Sequence, residues 1–352
     1  MIKKIIAIIL SVVVSVLSFG EGNFNAYIEK SDPLYESCMG IFEDYFKYYD
    51  VNKFEITKIF DDDKETIYQV DLYVTVKFSD PKESDYFKGV CAAINEIEQS
   101  QKDTFKSNID NAKYIYNERN QIYDSLKSYV DSEQHLPFMI KMLKENDKTK
   151  PMILCGVEYT VLDKIEIQSP SELFEMGYNN IVTSYKESAK SRANYSASSA
   201  VSYCTQYTSN PSSCNLHSSC GFKTDTTKYN STYSNYASSH SDCCNFASQA
   251  LYAGGLPTDS TWQPYTSAWT SVTSLTSYMN SNHYWVPTKV SDLRTGNFAV
   301  YNYTSGGKHI VMITSFDGIT PKASGHTNDC LNGYVPTSNS TSYTMKFYRV
   351  TY

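Results

Sequence analysis

The sequence predicts an α+β protein built of two units, and three observations predict it. The chain has 352 residues, long for one domain and comfortable for two. Runs of strict alternation are interleaved with runs of helical spacing, the pattern of hairpins with helices packed on them. The charge divides sharply near residue 190. From Ser191 onward there are nine Lys+Arg against six Asp and no Glu, a net +3, which leaves −10 on the first 190 residues. Hydrophobic residues make up 41% and charged residues 20%, so the chain can build cores, and wholesale disorder or a collagen-like fibre is excluded. The formal net charge of −7 argues against a general nucleic-acid binder, which needs a clustered basic surface.

The first twenty residues read as a secretory signal peptide. Lys3 and Lys4 form a basic start, 5–17 is almost unbroken apolar sequence, and Ser18 and Gly20 put small residues ahead of a cleavage point before Glu21. The apolar run is shorter than the ~20 residues a span needs. The expectation is a secreted, extracellular protein with no stable membrane insertion after cleavage.

Residues 21–168 form the acidic α+β unit. Leu34, Ile41, Phe42, Tyr45 and Tyr49 have helical spacing; 54–60 alternates, Asp61 to Asp63 turn, and 68–78 alternates again, giving a hairpin. Residues 87–146 read as one long or two consecutive helices with a break at Pro137, and 151–168 returns to strand. No chemical constellation stands out here, and its single histidine, His135, lies beside the expected break. The unit reads as a packing or spacer domain. Residues 169–191 connect it to the second unit, with a short helix around 173–185.

The second unit, 192–352, opens with a helix at 195–207. A Ser-, Thr-, Asn- and Cys-rich loop runs to Ser241, a helix over 245–253 stops at Gly254-Gly255, and strands follow at 297–303, 309–316, 319–326 and 343–352. The chemistry centres on Asp242-Cys243-Cys244-Asn245-Phe246-Ala247-Ser248-Gln249. A cysteine at a helix start meets the positive end of the helix dipole, which favours its thiolate. Such a nucleophile needs a general base and acid that titrates near neutrality, and His309, on an alternating strand behind Gly306 and Gly307, supplies an imidazole. A third polar group must orient that imidazole, and His326 and Asn328 at the end of the return strand are the candidates; the alternative is a turn in which Thr327, Asn328 and Asp329 only satisfy backbone groups. On spacing alone, a disulfide cysteine and a core histidine fit as well.

The segment 242–249 resembles the D-C-T-N-F-x-S-Q signature of the putative amidase domain family, a branch of the papain-like cysteine amidases and peptidases. The order around it is similar too: Ala200-Val201-Ser202-Tyr203 in the leading helix, Ala250 to Gly255 closing the nucleophile helix, Trp262 and Trp269, and Leu293-Arg294-Thr295-Gly296-Asn297 before a strand. Cys244, Thr295 and Asn297 depart from the usual Thr, Pro and Asp. The resemblance covers about 192–352. It implies a papain-like domain, a nucleophile helix packed on a small antiparallel sheet. It also implies Cys243 as nucleophile, His309 as base, a third member from 326–329, and the Cys243 N–H as an oxyanion donor.

Nine cysteines suggest an oxidising compartment. With Cys243 free, Cys38, Cys91, Cys155, Cys204, Cys214, Cys220, Cys244 and Cys330 could form four bridges. Cys214, His217 and Cys220, with His240 and Cys243, have ligand-like spacing, but an exported chain without a CxxC pair favours disulfides, and neither metal nor cofactor is expected. The reading is a secreted cysteine amidase or peptidase acting on a peptide, a cell-wall peptide or an N-acyl amide. The alternative is a secreted, inactive binding module whose Tyr- and Trp-rich surface meets glycans or proteins.

Overall fold

A computed structural model describes residues 26–27, 33–100, 109–144, 151–161, 164–190, 195–217 and 222–351. The signal segment, its cleavage point and Cys220 lie outside the described residues. The architecture is α+β, with two six-stranded antiparallel sheets. The first comprises β1 (Ala26–Tyr27), β2 (Tyr49–Asp61), β3 (Glu65–Val76), β4 (Gln134–Leu143), β5 (Met152–Cys155) and β6 (Glu158–Val161), paired in chain order. Helices α1 (Pro33–Ile41) and α2 (Tyr45–Tyr48) precede its main hairpin. Helices α3 (Asp85–Ser100) and α4 (Ile109–Lys127) lie between β3 and β4, and α5 (Pro170–Lys190) follows β6. Helices α3 and α5 pack very closely: a Cβ on Gly89 or on Gly177 would collide with the backbone carbonyl of Phe174 or Tyr86.

One expected element is corrected. Pro137 does not break a helix; it lies inside β4, opposite Asp71 of β3. β4 pairs on its other side with β5 only at Ile140 and Lys141, so Pro137 occupies a stretch with one free edge, where its missing N–H removes no ladder bond.

The second half carries α6 (Ala197–Gln206), α7 (Cys243–Ala253), α8 (Ser267–Thr270) and α9 (Val272–Ser281). Its strands are β7 (Trp285–Thr288), β8 (Phe298–Tyr303), β9 (Lys308–Phe316), β10 (Pro321–Gly325), β11 (Cys330–Tyr334) and β12 (Tyr343–Val350), in the order β11-β10-β9-β8-β12-β7. Alternation gives this sheet two different faces. Phe298, Val300, Ile310, Met312 and Tyr348 join one buried cluster with α6, α7 and α9. Ala299, Tyr301, Tyr303, Val311, Ile313, Tyr343 and Phe347 join a second cluster that continues through Tyr45, Val70, Leu136, Phe138 and Ile153 of the first half. The first sheet thus covers the far side of the second. A buried polar knot ties them: Asp317 accepts from the Tyr49 hydroxyl at 2.8 Å and pairs with Lys322 at 3.0 Å, and Lys322 also reaches Gln134. Among the described residues no helix is long and apolar enough to cross a membrane.

The four-bridge cysteine framework is also corrected: Cys91, Cys155, Cys204, Cys244 and Cys330 are unbridged. Cys155, Cys204 and Cys244 are fully buried in the apolar clusters, where a thiol packs as a small hydrophobe.

Candidate active site

Helix α7 begins at Cys243 and is buried over its first nine residues, so its polar side chains must find partners inside. They do. Asn245 accepts the Trp269 indole N–H at 2.9 Å. The Ser248 hydroxyl donates to the Trp269 carbonyl at 2.9 Å and accepts the Trp262 indole N–H at 3.2 Å. Gln249 accepts from the Tyr203 hydroxyl at 2.5 Å. The polar letters of the motif, and the two tryptophans downstream, are therefore the fastenings that fix the helix.

Asp242, just before the helix, has three partners for its carboxylate. One carboxylate oxygen accepts the Tyr236 N–H at 2.7 Å and the Asn245 amide at 2.9 Å; the other meets Nδ1 of His326 at 2.7 Å. Nε2 of His326 lies 2.7 Å from the Tyr207 carbonyl, which can only accept, so that nitrogen carries a hydrogen. The ring is sandwiched between Tyr229 and Phe246, with centroids at 3.7 and 3.8 Å. In this structure His326 does not bond His309. Both of its nitrogens are held elsewhere, because the chain turns away after β10 and aims the ring at the start of α7.

Thr327 follows His326 with φ of 87°, a left-handed conformation that is strained for a β-branched residue. Its hydroxyl oxygen accepts the Cys243 N–H at 3.0 Å. The N–H expected to serve an oxyanion is thus engaged by a neighbouring side chain. Burial, and beside it the charge of the adjoining Asp242, push the Cys243 thiol up to about 11, against lowering effects of the Ile310 N–H, the Thr327 hydroxyl and the Cys244 N–H. Cys243 belongs to the buried cluster of Ile310 and Met312 on the α7 side of β9, and no hydrogen bond joins its sulfur to His309. Cys244 is also buried and raised well above the usual thiol value, mainly by burial.

His309 pairs with Tyr301 across β8 and shares the side of the sheet that faces the first half. It is 1% exposed, its Nδ1 has no hydrogen-bond partner, and burial alone holds it down to about 3. It lines a cavity of about 80 Å³ with Gly156, Asn328, Lys223, Asp329 and Tyr301. That volume holds a few waters and falls well short of a small-molecule pocket. Asn328, the other candidate third member, is in the same cavity, yet its oxygen accepts the Lys223 N–H at 3.0 Å and its amide donates to the Gly156 carbonyl at 3.1 Å. Sequence reasoning passed over Tyr303 and Gly156, whereas Thr327 satisfies a backbone group, as one of its readings had it. Nothing near Gly156 or Tyr303 in the chain signals the other, since they come together only across the two halves. Among the described residues no group of three or more His, Cys, Asp or Glu could hold a metal ion.

Residues 194–350 match the family model described as the putative amidase domain. Amide hydrolysis is the chemistry that description names, and the similarity lies in the second half of the chain. A curated relative, "Uncharacterized protein YjcM" of Bacillus subtilis (strain 168), is 28% identical over 189 residues, 48% of this chain and 40% of the relative. The chain thus spans less than half the length of that relative. No solved structure matches the chain significantly.

Proposed function

We propose that the protein is a secreted, cysteine-dependent amide hydrolase of papain-like design, with Cys243 as nucleophile and His309 as general base. The observation that supports this is the place of Cys243 as first residue of a buried helix, at its positive dipole end, in the same cluster as Ile310, the residue that follows His309. In the reaction the Cys243 thiol gives its proton to His309 and its sulfur bonds the amide carbonyl carbon. Collapse breaks the carbon–nitrogen bond as His309 returns the proton to the departing amine. Water, deprotonated by His309, then attacks the thioester and releases the acid and the Cys243 thiol. Asn328 shares the cavity with His309, and to orient the imidazole it would have to release the Lys223 N–H or the Gly156 carbonyl. His326 acts at one remove: it holds Asp242 and, through the adjoining Thr327, the backbone of Cys243.

The substrate class is a peptide, a cell-wall peptide or another N-acyl amide. The experiment is hydrolysis of an N-acyl-peptide library by the purified chain, side by side with Cys243→Ser. Release of amine by the wild type and none by the variant supports the reading. Equal release by both removes it.

A further inference from the structure

The turn between β5 and β6, Gly156 and Val157, reaches from the first half onto the candidate centre. Gly156 has φ of 70°, and a Cβ built on it would fall 2.9 Å from His309 Cδ2 and closer still to the Tyr303 hydroxyl. Its main chain is read by side chains of the second half. The Asn328 amide donates to the Gly156 carbonyl at 3.1 Å. The Tyr303 hydroxyl donates to the Cys155 carbonyl at 2.8 Å and accepts the Val157 N–H at 2.9 Å. At the rim, Ser305 donates to the Glu158 carboxylate at 2.5 Å. These bonds take main-chain donors and acceptors in sequence, as a peptide-binding subsite does. They leave His309 buried with an unpartnered nitrogen, which is what remains when the space a reacting group would fill is closed.

Resting on the Cys243–His309 reading above, we propose that Tyr303 and Asn328 form a subsite for peptide main chain at a glycine, and that the chain's own Cys155–Glu158 turn occupies it and holds the centre shut. The ligand class is a peptide or peptide-like amide with no side chain at the position facing His309, because any Cβ there meets the imidazole and the Tyr303 hydroxyl. The shut state also fits the protonation of the pair: a thiol at about 11 does not yield its proton to an imidazole held at about 3. Withdrawing the turn admits water and substrate, and both burial effects relax.

The test is the rate at which iodoacetamide alkylates Cys243 at pH 7.5 in the full chain, read by mass spectrometry of the Cys243 peptide. Wild type is compared with Gly156→Ala and Tyr303→Phe, with circular dichroism confirming the fold. Gly156→Ala, which forces the turn off, should speed labelling by about 10-fold or more; Tyr303→Phe, which adds no atom and deletes two bonds to the turn, should speed it several-fold. An acetylated, amidated peptide of residues 151–161 should slow labelling of Gly156→Ala again, and the same peptide with valine at its glycine should not. Wild-type labelling as fast as in the urea-unfolded chain, or folded variants indistinguishable from wild type, would overturn the proposal. A parallel hydrolysis assay separates it from the reading it rests on. Faster labelling with no hydrolysis by any variant keeps the shut subsite and removes the hydrolase. Hydrolysis equal in wild type and Gly156→Ala removes the shut subsite and keeps the hydrolase.

Discussion

The two buried histidines of the second half occupy opposite kinds of surroundings. His326 has an acceptor on each nitrogen, an aromatic ring on each face and a carboxylate as its neighbour. His309, as deeply buried, has an unpartnered Nδ1 and a tyrosine ring at 5.8 Å. A satisfied imidazole is a structural fastening; an unsatisfied one is strain retained at a site of change. The comparison extends to the faces of the second sheet. Around α7 the polar side chains of Asn245, Ser248 and Gln249 are matched, whereas the face toward the first half keeps a small cavity beside an orphaned nitrogen.

Activity should break the symmetry most. Cys243→Ser and His309→Ala should each lower amide hydrolysis by roughly 10³-fold or more, since each removes one member of a unit that moves a single proton. Steady-state release of amine measures it. Retention of more than a tenth of wild-type turnover in His309→Ala would mean that another base serves Cys243.

Stability should break it in the other direction. His326→Ala leaves the Asp242 carboxylate buried without its partner, which costs about 3–5 kcal/mol. His309→Leu removes an unpaired polar ring from an apolar setting, so stability should hold within about 1 kcal/mol or rise. Urea midpoints of the two variants decide the point, and the ranking fails if His309→Leu is the more damaging.

Acid should separate them further. His309 is held near 3 in the folded state against ~6.5 in an unfolded chain, so as pH falls from about 6.5 toward 3 the unfolded state takes up a proton that the folded state refuses. Stability is then fully present above about 6.5 and lost progressively below it. Around the same cavity, Lys223 is lowered to about 8 by burial and titrates above this window; burial raises Asp329, which favours the folded state as acid is added. Tyr301 and Cys330 are raised and stay neutral. The wild-type loss between pH 6.5 and 4.5 should therefore shrink in His309→Leu. Parallel curves for the two proteins would show that His309 is already solvated.

What was legible in the sequence was local. The helix at α7, the strands β8 and β9 and the β2–β3 hairpin all have periodic patterns with clear stops, so their positions could be read within a few residues. Strand β4 could not, because Pro137 and the long polar helical stretch before it mimic a broken helix, and only its pairing with β3 shows that its free edge tolerates proline. The roles of His326 and Asn328 were not legible either. They depend on where the chain turns after Gly325, and their partners Asp242, Tyr207, Lys223 and Gly156 lie between 84 and 172 residues away. A motif records which residues a site needs, and distant contacts decide which of them face the chemistry.

The smallest expected effect concerns the second cysteine of the motif. Adjacent helical residues are turned by about 100°, and the two thiols consequently meet different neighbours. Cys243 has its N–H on the Thr327 hydroxyl, beside the turn that follows β10, and is 7% exposed. Cys244 is 1% exposed, deeper in the cluster that holds both with Trp262 and Trp269. A thiol in that second place cannot reach a substrate entering by His309, so it contributes packing only. Cys244→Ala should cost about 1 kcal/mol for the lost buried sulfur and leave turnover per folded molecule within about twofold. Active-site titration with an electrophile, followed by turnover normalised to the titrated sites, measures it. A collapse of normalised turnover in Cys244→Ala with Cys243→Ser still active would move the nucleophile by one residue and reverse the comparison between the two faces.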